Sequence, residues 1–157
     1  MSLNPARWSD IDADLASARK HFSEAVRAMR ASPARLEPDD YWASMAFQHA
    51  MQSGYSSFEA ALERTLLMCG EQLPVGRDWH AKLLDRAATS MAGDRPAIIS
   101  HELRGAARML LAFRHVAMHS YDDFEPVRAL PAVEAAELYL NLAEKELAAF
   151  RAQIDPA

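Results

Sequence analysis

The stretch DIDADLASARKHFSEAVRAMRA, residues 10–31, decides the fold class. Its apolar positions Ile11, Leu15, Ala18, Phe22, Ala25 and Met29 step alternately by four and three, the spacing that draws one seam along an α-helix. A helix with such a seam packs along a partner.

Working outward, Ser32-Pro33 and Pro38 mark a turn, and Asp39-Asp40 open a second helix through Trp42, Met45, Phe47 and His49. Ser53-Gly54 is expected to interrupt it. A third helix from Ser57 carries Phe58, Leu62, Thr65, Leu66 and Cys69, and Gly70, Pro74 and Gly76 end it. Asp78 is expected to cap a short fourth helix with Trp79, Leu83 and Leu84 that stops near Gly93. Pro96 suits the first turn of a fifth, from Ala97 to about Ser120. Pro131 suits the start of a last one with the seam Val133, Ala136, Leu140, Ala143, Leu147 and Phe150. No segment sustains a period of two with β-branched enrichment, so no sheet is expected. The expectation is an all-α, up-and-down bundle of five to six helices.

Half of the 157 residues are apolar, enough for one domain with a real core and too few for two. No apolar run approaches the ~20 residues that span a bilayer. Residues Met1 to Asp14 carry Asp10, Asp12 and Asp14 where a secretory signal needs an apolar core. A cytoplasmic location is therefore expected, with no membrane partner. Cys69 is the single cysteine and is expected to be a small buried side chain. A net charge of −5 argues against nucleic acid as a partner, but the charge is unevenly spread and its distribution matters more than its sum.

The uneven part lies at Arg114-His115-Val116-Ala117-Met118-His119-Ser120-Tyr121. At 100° per residue, Met109, Phe113, Val116, Ala106, Ala117 and Leu110 gather on one face of the fifth helix, the expected core face. Arg104, Arg108, His115 and His119 line the opposite one, with Leu111 and Met118 among them. Apolar residues on a basic face suggest a cover, and a second protomer is the simplest. Arg offers a permanent planar charge for phosphate oxygens, and His titrates near neutral pH and can move protons. In RNA the neighbouring 2′-hydroxyl can attack phosphorus itself, so positioning, charge stabilisation and proton transfer suffice without a metal. His115 and His119 could instead hold zinc with Asp122 or Asp123, but one helix supplies only two good ligands and no second ligand helix is evident. No metal or cofactor is expected. Trp79 and His80 are read as packing and capping the fourth helix.

At these residues the chain resembles the HEPN superfamily, and within it the HepT-like ribonuclease toxins of prokaryotic toxin–antitoxin pairs. The pattern is an Arg and a polar residue, three variable residues, a His, one variable residue and a Tyr. Arg114, His115, His119 and Tyr121 meet it, with His115 where Asn is more usual. Gly54-Tyr55, Trp79-His80, Arg95-Pro96 and Phe113 add to the likeness, which runs roughly from Asp39 to Phe150. The resemblance implies a homodimer whose two motifs line a shared cleft and a metal-independent endoribonuclease activity. By it, Arg114 and His119 are catalytic and His115 supports them. Tyr121 is the tyrosine that a minimal nucleotidyltransferase antitoxin modifies with AMP, blocking RNA by bulk and charge. Arg104 and Arg108 are candidate RNA-backbone contacts, although a solvated basic face is the commoner reading. The alternative is a non-catalytic HEPN-type binding module that docks a nucleotidyltransferase partner or nucleotide.

Overall fold

The computed structural model describes residues 5–31, 40–119 and 124–156. These form five helices: α1 (Pro5–Ala31), α2 (Tyr41–Met68), α3 (Trp79–Ala87), α4 (His101–His119) and α5 (Pro126–Ile154). Among the described residues there is no strand, only an isolated bridge between Met91 and Arg95. None of these helices is long and apolar enough to cross a membrane.

The α1 seam is buried as its spacing predicts, extended by Trp8 at its start. It faces two long helices. Ser17 Oγ meets Ser57 Oγ at 3.0 Å and Arg64 Nε donates to Asp14 at 2.7 Å, so α2 runs antiparallel to α1. Trp8 Nε1 donates to Asp155 at 2.8 Å, Arg151 pairs with Asp12 and Arg19 with Glu144, so α5 is antiparallel to α1 as well. Phe22, Phe58 and Tyr139 bring the three helices together, their rings 4.8 and 4.9 Å apart around Tyr139. The result is an all-α bundle, as expected.

The break expected at Ser53-Gly54 does not occur, and α2 runs unbroken from Tyr41 to Met68. A Cβ on Gly54 would lie 2.8 Å from both Cδ1 and Cε1 of Phe22, closer than carbon atoms approach. The glycine lets α1 close on α2, and this packing outweighs the roughly 1 kcal/mol that glycine costs inside a helix. Gly54→Val is therefore expected to destabilise the fold by about 1–3 kcal/mol through overpacking. The shift of the urea midpoint measures this, and an unchanged midpoint would show that Phe22 can move aside. Gly70, by contrast, behaves as a terminator. Its φ is +81°, its N–H donates to the Leu67 carbonyl, and the N–H of Glu71 donates to that of Leu66.

Three other regions differ from expectation. First, α3 stops at Ala87 rather than near Gly93, and α4 starts at His101 rather than Ala97. The intervening chain is held otherwise: the N–H groups of Ile98 and Ile99 both donate to the Ala87 carbonyl, at 2.8 and 3.2 Å. Ser100, not the region of Pro96, begins α4, its Oγ accepting from Leu103 N–H at 3.1 Å. Second, Asp78 precedes α3 but its side chain makes no cap bond; it pairs instead with Lys82 at 3.1 Å. Third, α5 begins at Pro126, and Pro131 lies inside it. Pro131 has no N–H to give to the carbonyl of Val127 one turn earlier, a helix bond forgone near the N-terminal end of α5. Cys69, expected to be buried, is half-buried, and burial pushes its thiol up.

Helix α4 is also rolled. Its buried residues are Leu103, Ala106, Ala107, Leu110 and Ala117, while Met109 and Val116, expected in the core, are 46 % and 59 % exposed. The core face thus sits roughly 60° around the helix from the expected one. Leu111, expected on the basic face, packs partly buried against the core.

Candidate functional site

The roll of α4 changes the position of Arg114. It falls in the line Leu103, Ala107, Leu110, Arg114, Ala117, spaced by four and three, so a permanent cation occupies a core-facing position. Its side chain is 22 % exposed. A cation there needs compensation, because burying an uncompensated charge is costly.

Helix α2 supplies the compensation. Its seam Tyr55, Glu59, Leu62, Leu66 buries a carboxylate one turn after the phenol. Arg114 Nη1 lies 3.8 Å from Glu59 Oε1, an ion pair too long for a hydrogen bond. The guanidinium carbon lies 5.7 Å from the centroid of the Tyr55 ring, within cation–π range. Among the described residues Arg114 makes no hydrogen bond, and its charge is balanced by Glu59. The Tyr55 hydroxyl likewise has no hydrogen-bond partner of good geometry there. Burial, with the Glu59 carboxylate beside it, pushes that phenol far above its ordinary range. Burial also raises the Glu63 carboxyl one turn further on, and the Glu59 charge adds to the rise.

Helix α3 contributes an imidazole. His80 Nδ1 is 2.6 Å from Glu59 Oε2, and its ring stacks on Trp79 with centroids 3.8 Å apart and planes 29° from parallel. One buried carboxylate therefore joins a histidine from α3 to an arginine from α4. Sequence reasoning assigned His80 to capping and passed over Glu59. The available signal was a charged residue inside the apolar seam of α2.

The other candidates are placed as follows. Arg108 Nη2 donates to both oxygens of Asp85, at 2.7 and 2.8 Å, and Arg104 lies 3.6 Å from the same carboxylate. The basic line of α4 is thus tied to α3 by one acid against two cations. His115 is exposed on α4. His119 is the last residue of α4, five positions and about 140° of helix beyond Arg114, and its side chain lies outside the described residues. Tyr121, Asp122 and Asp123 also lie outside them. On the other side of α4 an apolar cavity of about 480 Å³ opens between α4 and α5, lined by Met109, Phe113, Val116, Phe124 and the buried Gln48. What the described residues do bring together is Arg114, Glu59, Tyr55 and His80.

Among the described residues the fold is a bundle of five helices, consistent with a HEPN-like class of protein. Residues 46–154 match the family described as HepT-like protein, so the chain belongs to the HepT-like family of the HEPN superfamily. The match agrees with the span over which the resemblance was read. No curated protein and no solved structure matches the chain.

Proposed function

We propose that this protein is a metal-independent endoribonuclease toxin of a HEPN/nucleotidyltransferase toxin–antitoxin pair. The observation that carries the reading is Arg114: a largely buried guanidinium whose charge is met by Glu59 while it makes no hydrogen bond among the described residues. Such a group suits an incoming anion, because its charge is already held in place and a guanidinium can donate to two phosphoryl oxygens at once. A phosphodiester fits that demand.

In the proposed reaction the 2′-oxygen of RNA attacks the adjacent phosphorus and the bond to the 5′-oxygen breaks, leaving a 2′,3′-cyclic phosphate. Arg114 stabilises the charge that develops on the phosphoryl oxygens, and His119 moves a proton. His115 is a supporting polar group beside Arg114, and Arg104 and Arg108 are RNA-backbone contacts. No metal or cofactor takes part. The exposed apolar side chains Met109, Val116 and Met118 on α4 support a homodimer, since a single chain leaves them facing water. Family membership supports a nucleotidyltransferase antitoxin that transfers AMP to Tyr121. A cytoplasmic location follows from the RNA substrate.

Purified protein incubated with RNA and a chelator tests the activity. Cleavage lost in His119→Ala supports it, and cleavage that survives His119→Ala rejects the assignment of His119. For the regulatory half, incubation with the partner transferase and ATP should add the mass of AMP to the wild-type chain and not to Tyr121→Phe.

A further inference from the structure

We infer that His80 is a further catalytic residue of this site, the acceptor of the 2′-hydroxyl proton, and that Glu59 is the residue that positions it. The inference rests on the nuclease reading above and adds to it the group that the Arg114–His119 motif lacks. Cleavage by internal attack requires one proton to leave the 2′-hydroxyl and one to reach the departing 5′-oxygen, and two separate groups are best placed to do this.

The geometry of His80 fits a base. A carboxylate accepts, so at the 2.6 Å contact with Glu59 Oε2 the ring donates from Nδ1, and in the neutral ring the lone pair is then on Nε2, directed away from Glu59. The Glu59 side chain is only 7 % exposed, whereas that of His80 is 29 % exposed. Nε2 has no hydrogen-bond partner among the described residues, and the stack on Trp79 fixes the plane of the ring. Arg114 sits on the other oxygen of the same carboxylate. A partly exposed imidazole from α3 and a guanidinium from α4 thus meet the two oxygens of one buried carboxylate. A histidine that only packed and capped α3 would need neither the Glu59 bond nor an open Nε2.

The 2′-hydroxyl proton passes to His80 Nε2 as the bond from O2′ to phosphorus forms. The bond from phosphorus to O5′ breaks, and O5′ takes a proton from the His119 imidazolium. The imidazolium created on His80 is offset by Glu59, and the phosphoryl charge by Arg114.

The test uses His80→Asn, whose side-chain amide can still donate to Glu59 from near the Nδ1 position but has no basic nitrogen. The full-length chain is assayed with a chelator on RNA, and on an oligonucleotide carrying sulfur in place of O5′ at the mapped cleavage site. Sulfur departs without protonation, so it relieves the loss of an acid but not of a base. The expected result is a loss of about 100-fold or more for His80→Asn on both substrates. On the sulfur substrate His119→Ala should recover. Activity of His80→Asn within about threefold of wild type, or its recovery on the sulfur substrate, overturns the assignment and leaves the nuclease reading standing. Absence of cleavage by the wild-type chain overturns both. If His80→Asn fails to fold by circular dichroism, His80→Gln is read in the same way.

Discussion

Arg114→Ala is expected to lower RNA cleavage by about 10²–10³-fold, the usual cost of removing one donor aimed at developing charge. The size of the effect follows from where the residue sits. Arg114 occupies a core-facing position on α4, its charge is balanced by Glu59 at 3.8 Å, and the Tyr55 ring lies beneath it. A surface arginine would have to be ordered when RNA arrives, whereas this one is held in place beforehand. Arg114→Lys should recover only part of the loss, because an ammonium is a point donor and cannot grip two phosphoryl oxygens in a plane. Both variants remain folded if Glu59 keeps its bond to His80, so circular dichroism is recorded alongside the rate. A fall of less than about threefold in folded Arg114→Ala would mean that the guanidinium only balances Glu59.

Arg95→Ala should produce the largest loss of stability, about 3–5 kcal/mol, the range for breaking a buried ion pair from one side. Arg95 is the inverse of Arg114. Its side chain is 2 % exposed and all five N–H donors are used. Nε and Nη2 bond the two oxygens of Glu71, Nη1 bonds the carbonyls of Thr89 and Pro96, and Nη2 also bonds that of Arg86. Alanine would leave the Glu71 carboxylate and three carbonyls without these donors. The segment after α3 would then lose the fastener that sets the spacing of α3 and α4, on which the His80–Glu59–Arg114 alignment depends. Against a total stability of about 5–15 kcal/mol such a loss is large. Chemical denaturation measures it, and a change below about 1 kcal/mol would show that water replaces the guanidinium without penalty.

How far the sequence reveals this protein depends on whether a feature is local. The α1 seam is legible because a long run of periodic apolar residues has one low-energy solution, and every residue named in it is buried. Gly54 is misread because a glycine that ends a helix and one that admits a neighbouring ring look alike until Phe22 is in place. The face of α4 is misjudged for a related reason. Ranking by apolar bulk puts Met109 and Val116 inward, but α4 buries small alanines and turns the partly exposed Arg114 toward the core. A charge on a core-facing line is incompatible with the sequence pattern until its counter-charge is known, and Glu59 comes from another helix. The motif singles out Arg114 as a candidate and does not reveal how it is held. Glu59 goes unread, and His80 is read only as packing and capping, because their meaning lies in a three-helix contact, which no spacing along the chain encodes.

The most direct measurement is end-group analysis of RNA treated with the purified protein in excess chelator, wild type beside Arg114→Ala. The account predicts cleavage by the wild type alone, with a 2′,3′-cyclic phosphate on one fragment and a 5′-hydroxyl on the other. Cleavage that needs a divalent ion, fragments ending in a 3′-hydroxyl and a 5′-phosphate, or equal cutting by Arg114→Ala would contradict it.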